Sequence, residues 1–265
     1  MRKILAVIIA LAAAGCGGVR RPETPAPVIR GAPIIPATWT LRSQPVTAPH
    51  AMVVTAHPLA TQAGVEILKE GGNAIDAAVA VAFALEVVYP VAGNVGGGGF
   101  IVYRTAAGEV AALDYREAAP SGASRDMYVD SAGNVTDKSR IGHLAAGVPG
   151  SVAGLHAAWK RYGSLPWATL LAPAIRLARG HVIDGDRSRN IAGDRELLAR
   201  FPASRTQFLP GDSAPAPGTT WKQPDLARTL QLISDSGPDV FYRGQIADLI
   251  VAEMHRGGGL ITKED

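Results

Sequence analysis

Residues 71–88 read GGNAIDAAVAVAFALEVV, and this stretch predicts the element around which the rest of the chain folds. Asn73 is a favourable N-cap, so we expect a helix to begin at residue 74. Within residues 74–88 only Asp76 and Glu86 are charged, so the helix is apolar almost all round, as a helix in the middle of a core is. At fifteen residues it is too short to cross a bilayer.

The residues on either side mix helical and extended patterns without a regular strand–helix–strand repeat. A short strand is predicted at 52–56, a helix from 58 to about 70, and two strands joined by a turn at 100–105 and 110–115. Further helices are predicted at about 150–161, 167–179, 188–200, 224–235 and 243–256. This order of elements indicates an α+β fold or a layered sandwich rather than a doubly wound sheet.

The first residues have the pattern of an export signal. Arg2 and Lys3 precede an apolar run that is too short for a membrane-spanning helix and that ends Ala-Ala-Gly-Cys at Cys16. This ending resembles a bacterial lipobox, in which cleavage precedes a cysteine that is then lipidated. The alternative is an ordinary secretory signal cut at an Ala-x-Ala-like site, with Cys16 incidental.

These features predict three segments. Residues 1–15 are expected to be a signal peptide, and residues 16–47 a lipid-attachment cysteine followed by a Pro-rich tether, because this stretch is rich in proline and poor in periodicity. Residues 48–265 are expected to fold. The protein is therefore predicted to be exported, either periplasmic or held at the envelope membrane through Cys16.

Composition excludes several classes of protein. Apolar residues make up 47% of the chain and charged residues 18%, which is typical of a globular protein. The net charge is +3, but 24 basic residues remain against 23 acidic ones once Arg2 and Lys3 are set aside. No basic run is longer than the Arg20–Arg21 pair, so no nucleic-acid partner is expected. Cys16 is the only cysteine, so an intrachain disulfide is excluded.

Two stretches have the composition of a binding site. Residues 96–99 are four consecutive glycines, but a strand pattern follows them, so neither a P-loop nor a dinucleotide-binding turn is predicted. Arg116 lies at the end of the second predicted strand of the pair, where its two-pronged guanidinium is suited to a carboxylate. The alternative is a surface arginine paired with Asp114 or Glu117.

Other ionisable residues are expected to be structural. His57 precedes the first helix and is interpreted as a structural or N-capping residue rather than a base. Asp76 and Glu86 lie ten residues apart, roughly 15 Å along a helix axis, which is too far for shared acid–base catalysis. We expect each to bind a helix end or backbone groups.

A series of ordered blocks resembles the large subunit of the γ-glutamyltransferases, also called γ-glutamyl transpeptidases or glutathione hydrolases. The resemblance covers about residues 49–265. The blocks are HPLA (57–60), GVEILKEGGNAIDAAVA (64–80), GNVGGGGF (93–100), DYREAAP (114–120), GVPGSVAGL (147–155), YGSLPW (162–167), PAIRLA (173–178) and FYRG (241–244).

The resemblance implies the large-subunit part of an N-terminal-nucleophile hydrolase with an αββα four-layer sandwich. Members are made as one precursor that cleaves itself, and the N-terminal threonine of the small subunit is the nucleophile. That threonine is expected downstream of Asp265, so no catalytic residue is assigned in this chain and the fragment alone is predicted to be inactive. The large subunit contributes the arginine of an Arg-Glu-x-x-Pro stretch, here Arg116, which binds the substrate's α-carboxylate.

The implied activity is cleavage of γ-glutamyl amides such as glutathione, with transfer of the γ-glutamyl group to water, amino acids or peptides. The implied partner is the small subunit of the same precursor, and no metal or organic cofactor is implied. The alternatives are a glutaryl-β-lactam acylase, a poly-γ-glutamate hydrolase or transferase of the same superfamily, and a non-catalytic envelope lipoprotein. Thr262 and Asp265 have the spacing of a helix capping box, and with no helix following it we expect the sequence to be cut short there.

Overall fold

A computed structural model describes residues 46–265, of which Ala48–Asp265 form one compact unit. The predicted signal peptide, Cys16 and nearly all of the predicted tether lie outside the described residues. The helices are α1 (Pro58–Lys69), α2 (Ala74–Val88), α3 (Ser151–Tyr162), α4 (Trp167–Arg179), α5 (Gly185–Gly193), α6 (Arg195–Ala199), α7 (Pro202–Phe208), α8 (Pro224–Ser236), α9 (Asp239–Tyr242) and α10 (Gln245–Gly257). The strands are β1 (Phe100–Arg104), β2 (Val110–Asp114), β3 (His181–Val182) and β4 (Thr220–Trp221).

Helix α2 is the centre of the core, as its sequence predicts, and it packs against α1, α3 and α4. Val79, Phe83 and Val87 have no exposed surface, and the Phe83 ring meets Trp167 of α4 edge to face with centroids 5.6 Å apart. Burying one such side chain contributes roughly 1.5–3 kcal/mol relative to leaving it exposed. Helix α8 covers the other side of α4, where the Trp167 indole donates a hydrogen bond to the Ile233 carbonyl at 3.0 Å.

The start of α2 is fixed by a capping box. The Asn73 side chain accepts hydrogen bonds from the Ile75 and Asp76 amides, and Asp76 Oδ2 accepts the Asn73 amide at 2.9 Å. Asp76 is fully buried and also accepts the Ser164 amide at 3.0 Å and the Ser164 hydroxyl at 2.5 Å. One carboxylate therefore ties α2 to the loop between α3 and α4.

Strands β1 and β2 form an antiparallel hairpin whose register pairs Phe100 with Asp114 and Arg104 with Val110. One face, which includes Ile101, Tyr103 and Leu113, packs against the core. The side chains on the opposite face are exposed. They are Phe100, Val102 and Val110, at 65%, 77% and 68% exposure.

A smaller apolar cluster lies beside the second hairpin, which β3 and β4 form. Its buried members are Ile183, Ile191, Leu209 and Trp221. The Trp221 indole donates a hydrogen bond to the Gln207 carbonyl at 3.2 Å. This cluster holds α5 and the segment after it together.

The predicted α+β fold is confirmed, and the predicted helices at 58–70, 74–88, 150–161, 167–179, 224–235 and 243–256 are present with small changes of boundary. The predicted strand at 52–56 is wrong, because no strand in the described part of the chain pairs with these residues. The single helix predicted at 188–200 is two helices, α5 and α6, which meet at Asp194. Within residues 46–265, no helix is both long and apolar enough to cross a membrane.

We expect Asp76→Ala to lower the free energy of unfolding by about 3 kcal/mol or more, because it leaves buried donors at Asn73 and Ser164 without an acceptor. Asp225→Ala is the matched control, since Asp225 also lies in the first turn of a helix but its side chain is 87% exposed. The control is expected to change stability by about 0.5 kcal/mol or less. Urea unfolding of wild type and both variants measures these changes. Equal losses of unfolding free energy in Asp76→Ala and Asp225→Ala would contradict the structural role of Asp76.

Candidate functional site

Arg116 lines a cavity of ≈ 240 Å³, which we call the Arg116 cavity. Its walls come from α2, the glycine run, the end of β2 and the start of α3, and they include Glu86, Gly98, Glu117 and Ser151. The Arg116 side chain is 59% exposed, with Nε 3.4 Å from Glu117 Oε2. Asp114 binds the Arg116 backbone amide at 2.9 Å, not its guanidinium. Arg116 therefore forms the ion pair with Glu117 that the alternative describes, while more than half of its side chain stays exposed to a ligand.

The backbone that carries Arg116 is held at very short range by glycines on two sides. A Cβ atom added at Gly98 would lie 2.5 Å from the Tyr115 carbonyl oxygen, and one added at Gly150 would lie 2.0 Å from the same atom. A Cβ atom added at Gly154 would lie 2.3 Å from Tyr115 Cβ. Real side chains do not approach so closely, so these positions require glycine for a steric reason.

Hydrogen bonds join the same segments. The Gly97 carbonyl accepts the amides of Gly150 and Ser151 at 2.8 and 2.9 Å, so the glycine run satisfies donors at the start of α3. Ala118 and Val148 exchange two backbone hydrogen bonds, at 3.3 and 2.8 Å. The glycine run, the Arg116 segment and the start of α3 therefore form one connected unit.

Glu86 is a buried acid in the wall of the cavity. It is 6% exposed, and this burial raises the pKa of Glu86 to about 8. Burial, with a further effect of the Glu86 charge, also raises the pKa of Tyr115 above the usual value for tyrosine. Burial likewise raises the pKa of Tyr242, where the hydrogen bond from the Ala153 amide opposes the shift and the Glu86 charge adds to it. The Tyr242 hydroxyl accepts the Ala153 amide at 3.0 Å. Sequence analysis predicted only a structural partner for Glu86 and missed its place in the cavity.

The other ionisable candidates are structural, as predicted. His57 caps α1 through Nδ1, which accepts the Leu59 amide at 3.2 Å, and its Nε2 lies 2.9 Å from Asp184 Oδ2. Neither His57 nor Asp76 lines the Arg116 cavity. Of the capping box predicted between Thr262 and Asp265, the Asp265 half is present: Asp265 Oδ2 accepts the Thr262 amide at 2.9 Å and the Thr262 hydroxyl at 3.0 Å.

Asp265 also reaches the segment that follows Arg116. Its Oδ1 accepts the Ser121 amide at 2.7 Å, and its hydrogen bonds lower the pKa of the Asp265 carboxyl to about 2. A larger groove of ≈ 570 Å³ lies between α1 and α4, but no predicted site residue lines it. Among residues 46–265, no group of three or more His, Cys, Asp and Glu side chains is arranged to hold a metal ion.

Comparison with known proteins gives a consistent result. The family model described as gamma-glutamyltranspeptidase matches residues 60–265. The chain is 46% identical to the glutathione hydrolase proenzyme of Escherichia coli (strain K12), over 83% of this chain and 39% of that protein. It is 48% identical to the glutathione hydrolase proenzyme of Pseudomonas sp. (strain A14), over 83% of this chain and 39% of that protein.

A solved structure agrees with these relatives. Helicobacter pylori gamma-glutamyltranspeptidase superposes with a TM-score of 0.82 and 45% identity, covering 83% of this chain and 64% of that chain. The chain spans about two fifths of the length of the curated relatives it matches. Its fold class is that of the N-terminal-nucleophile hydrolases, of which it holds the large-subunit part.

Within that class the chain belongs to the γ-glutamyltranspeptidase family. The resemblance carried by the sequence blocks is confirmed. The carboxylate-binding role of Arg116 stays a prediction.

We expect Gly150→Ala to destabilise the protein by about 1–3 kcal/mol, because the new Cβ atom overlaps the Tyr115 carbonyl and forces the Arg116 segment to move. Gly193→Ala is the control: it lies in α5, and nothing lies within 4 Å of an added Cβ atom there. That control is expected to be neutral or to stabilise by roughly 0.5–1 kcal/mol. Thermal unfolding of both variants checks this, and a neutral Gly150→Ala would mean that the close packing is not a constraint.

Proposed function

We propose that this chain is the large-subunit portion of a γ-glutamyltransferase. The proposed activity cleaves γ-glutamyl amides such as glutathione and transfers the γ-glutamyl group to water, amino acids or peptides. The observation that carries the proposal is the placement of Arg116 in a cavity walled by the glycine run, in a chain of this family. The names of the relatives, which are glutathione hydrolase proenzymes, support the choice of substrate.

Arg116 supplies recognition rather than bond cleavage. Its guanidinium offers planar, paired donors that match a carboxylate, so it fixes the α-carboxylate and thereby orients the γ-amide. The nucleophile is a threonine of the small subunit, whose hydroxyl attacks the γ-carbonyl while its own amine accepts the proton. No metal or organic cofactor takes part in the proposed reaction.

The exposed face of the β1–β2 hairpin supports a second subunit as partner. Each of these strands pairs only with the other among the described residues, so the outer edges of both are open. Phe100, Val102 and Val110 expose apolar surface on the face turned away from the core. An isolated two-stranded hairpin is marginal in water, and open edges pair readily with further strands. We therefore propose that strands of the small subunit complete this sheet.

Arg116→Ala is expected to lower kcat/KM for a chromogenic γ-glutamyl anilide about tenfold to several hundredfold, measured on the two-subunit enzyme. The reason is that a charge-assisted hydrogen bond contributes roughly 1.5–3 kcal/mol and the lost contact is bidentate. Arg116→Lys is expected to recover little, because an ammonium cannot reproduce the planar fork. Precursor cleavage, scored on a gel, is expected to be spared, since that step involves no free α-carboxylate.

Arg125→Ala is the matched control, because the Arg125 side chain is 93% exposed beside Asp126 and does not line the cavity. Wild-type kcat/KM in both Arg116 variants would show that Arg116 is only a surface charge. Faster cleavage of a glutaryl anilide than of the γ-glutamyl anilide would assign the acylase alternative. Absence of both a second subunit and any cleavage of either anilide would favour the non-catalytic lipoprotein.

We further propose export and attachment to the envelope membrane through lipidated Cys16. The support is the short apolar run and the lipobox-like ending before Cys16. Fatty-acid labelling in a bacterial host is expected to disappear in Cys16→Ser, and the protein is expected to move from the membrane to the soluble fraction. Equal labelling of wild type and Cys16→Ser would leave an ordinary secretory signal as the explanation.

A further inference from the structure

Glu86 lies in the Arg116 cavity, yet the proposed reaction does not use it. It projects from the last turn of α2, and its Oε2 is buried without a hydrogen-bond partner among the described residues. Burying a carboxyl group without a partner costs free energy. Ionisable groups in such surroundings concentrate at functional sites.

The folding of α2 gives no reason for a buried acid at Glu86. Asp76, at the other end of the same helix, is also buried, but its oxygens accept hydrogen bonds from Asn73 and Ser164. Asp76 therefore has a structural role that Glu86 lacks. What distinguishes Glu86 is that it lines the same cavity as Arg116, whose guanidinium itself lies against Glu117.

We propose that Glu86 is a positioning residue that makes carboxylate binding at Arg116 depend on pH. As a neutral acid it leaves the guanidinium available to the ligand. As a carboxylate it attracts the guanidinium and repels the ligand's carboxylate, so both effects weaken binding. This inference rests on the proposed role of Arg116 and extends it to the residue that controls it.

Burial keeps most of the Glu86 carboxyl groups protonated at neutral pH. Burial raises the pKa of Glu86 to about 8, and the titratable groups near it are Tyr115 at the end of β2 and Tyr242 on α9. The pKa of each tyrosine is raised, so neither is charged where Glu86 titrates. Helix α3 contributes Ser151, which does not titrate, and the charged groups lining the cavity are Arg116 and Glu117.

The test is the dissociation constant of L-glutamate, measured by calorimetry on the two-subunit protein between pH 6.5 and 9.5. Between pH 6.5 and 9.5, the affinity of wild type for L-glutamate is expected to fall on the order of tenfold more than that of Glu86→Gln, because wild type alone gains a negative charge in the wall of the cavity. Titration of the ligand's own ammonium group is common to both proteins and cancels. Glu70→Gln, the same change at an exposed position, is expected to follow wild type.

A second measurement reports the titration of Glu86 without any ligand. The folded state holds the Glu86 proton up to about pH 8, whereas the unfolded carboxyl releases it near 4.5. The free energy of unfolding is therefore expected to fall as pH rises from about 4.5 to about 8, and this slope is expected to be smaller in Glu86→Gln. Glu86→Ala serves in place of Glu86→Gln for both measurements if the amide variant does not fold.

The outcomes separate this inference from the proposed function. Equal pH dependence of glutamate binding in wild type and the Glu86 variants overturns the positioning role, even where Arg116→Ala abolishes binding and the proposed function stands. Glutamate binding that is unchanged by Arg116→Ala overturns the proposed role of Arg116 and this inference with it. A pH dependence that disappears only in the Glu86 variants supports the inference.

Discussion

The structure depends on a steric constraint: the backbone of residues 115–117 runs between two glycine-containing segments with no room for a side chain. Gly98 lies on one side and Gly150 on the other, and a Cβ atom at either position would fall within 2.5 Å of the Tyr115 carbonyl oxygen. The hairpin, the glycine run and the start of α3 are therefore fixed relative to each other, and Arg116 is presented from a rigid unit. When the group that binds a ligand is already held in place, less conformational entropy is lost on binding.

Helix α2 belongs to both the core and the cavity. Its middle is fully buried, around Phe83, and supplies much of the apolar packing that holds α1, α3 and α4 together. Its first turn is stabilised by Asp76, which accepts hydrogen bonds from Asn73 and Ser164. Its last turn carries Glu86 in the wall of the Arg116 cavity, where Glu86 Oε2 has no hydrogen-bond partner among the described residues. Helix α2 thus carries two buried carboxyl groups. Asp76 stabilises the fold, whereas the packing of the fold gives no reason for an acid at Glu86.

Much of the fold could be predicted because local patterns determine it. Apolar periodicity and capping residues such as Asn73 predict α2 and its neighbours, and the blocks of resemblance identify the family. The strand predicted at 52–56 failed because a strand requires a partner, and pairing is not encoded locally. Glu86 was missed for a similar reason: its place depends on how α2 meets the end of β2 and α9. The Gly150–Gly154 spacing in the block at 147–155 was the available signal for the close packing around Tyr115.

The central claim is that Arg116 binds the ligand's α-carboxylate. The most direct test removes the guanidinium from the protein and the α-carboxylate from the ligand, singly and together. Dissociation constants are measured for L-glutamate and for 4-aminobutyrate, which lacks the α-carboxylate, on the wild-type and Arg116→Ala two-subunit proteins. If the two groups are in contact, loss of the α-carboxylate weakens binding to wild type roughly tenfold or more but changes binding to Arg116→Ala little. An equal loss in both proteins would show that the α-carboxylate is bound elsewhere and would contradict the account.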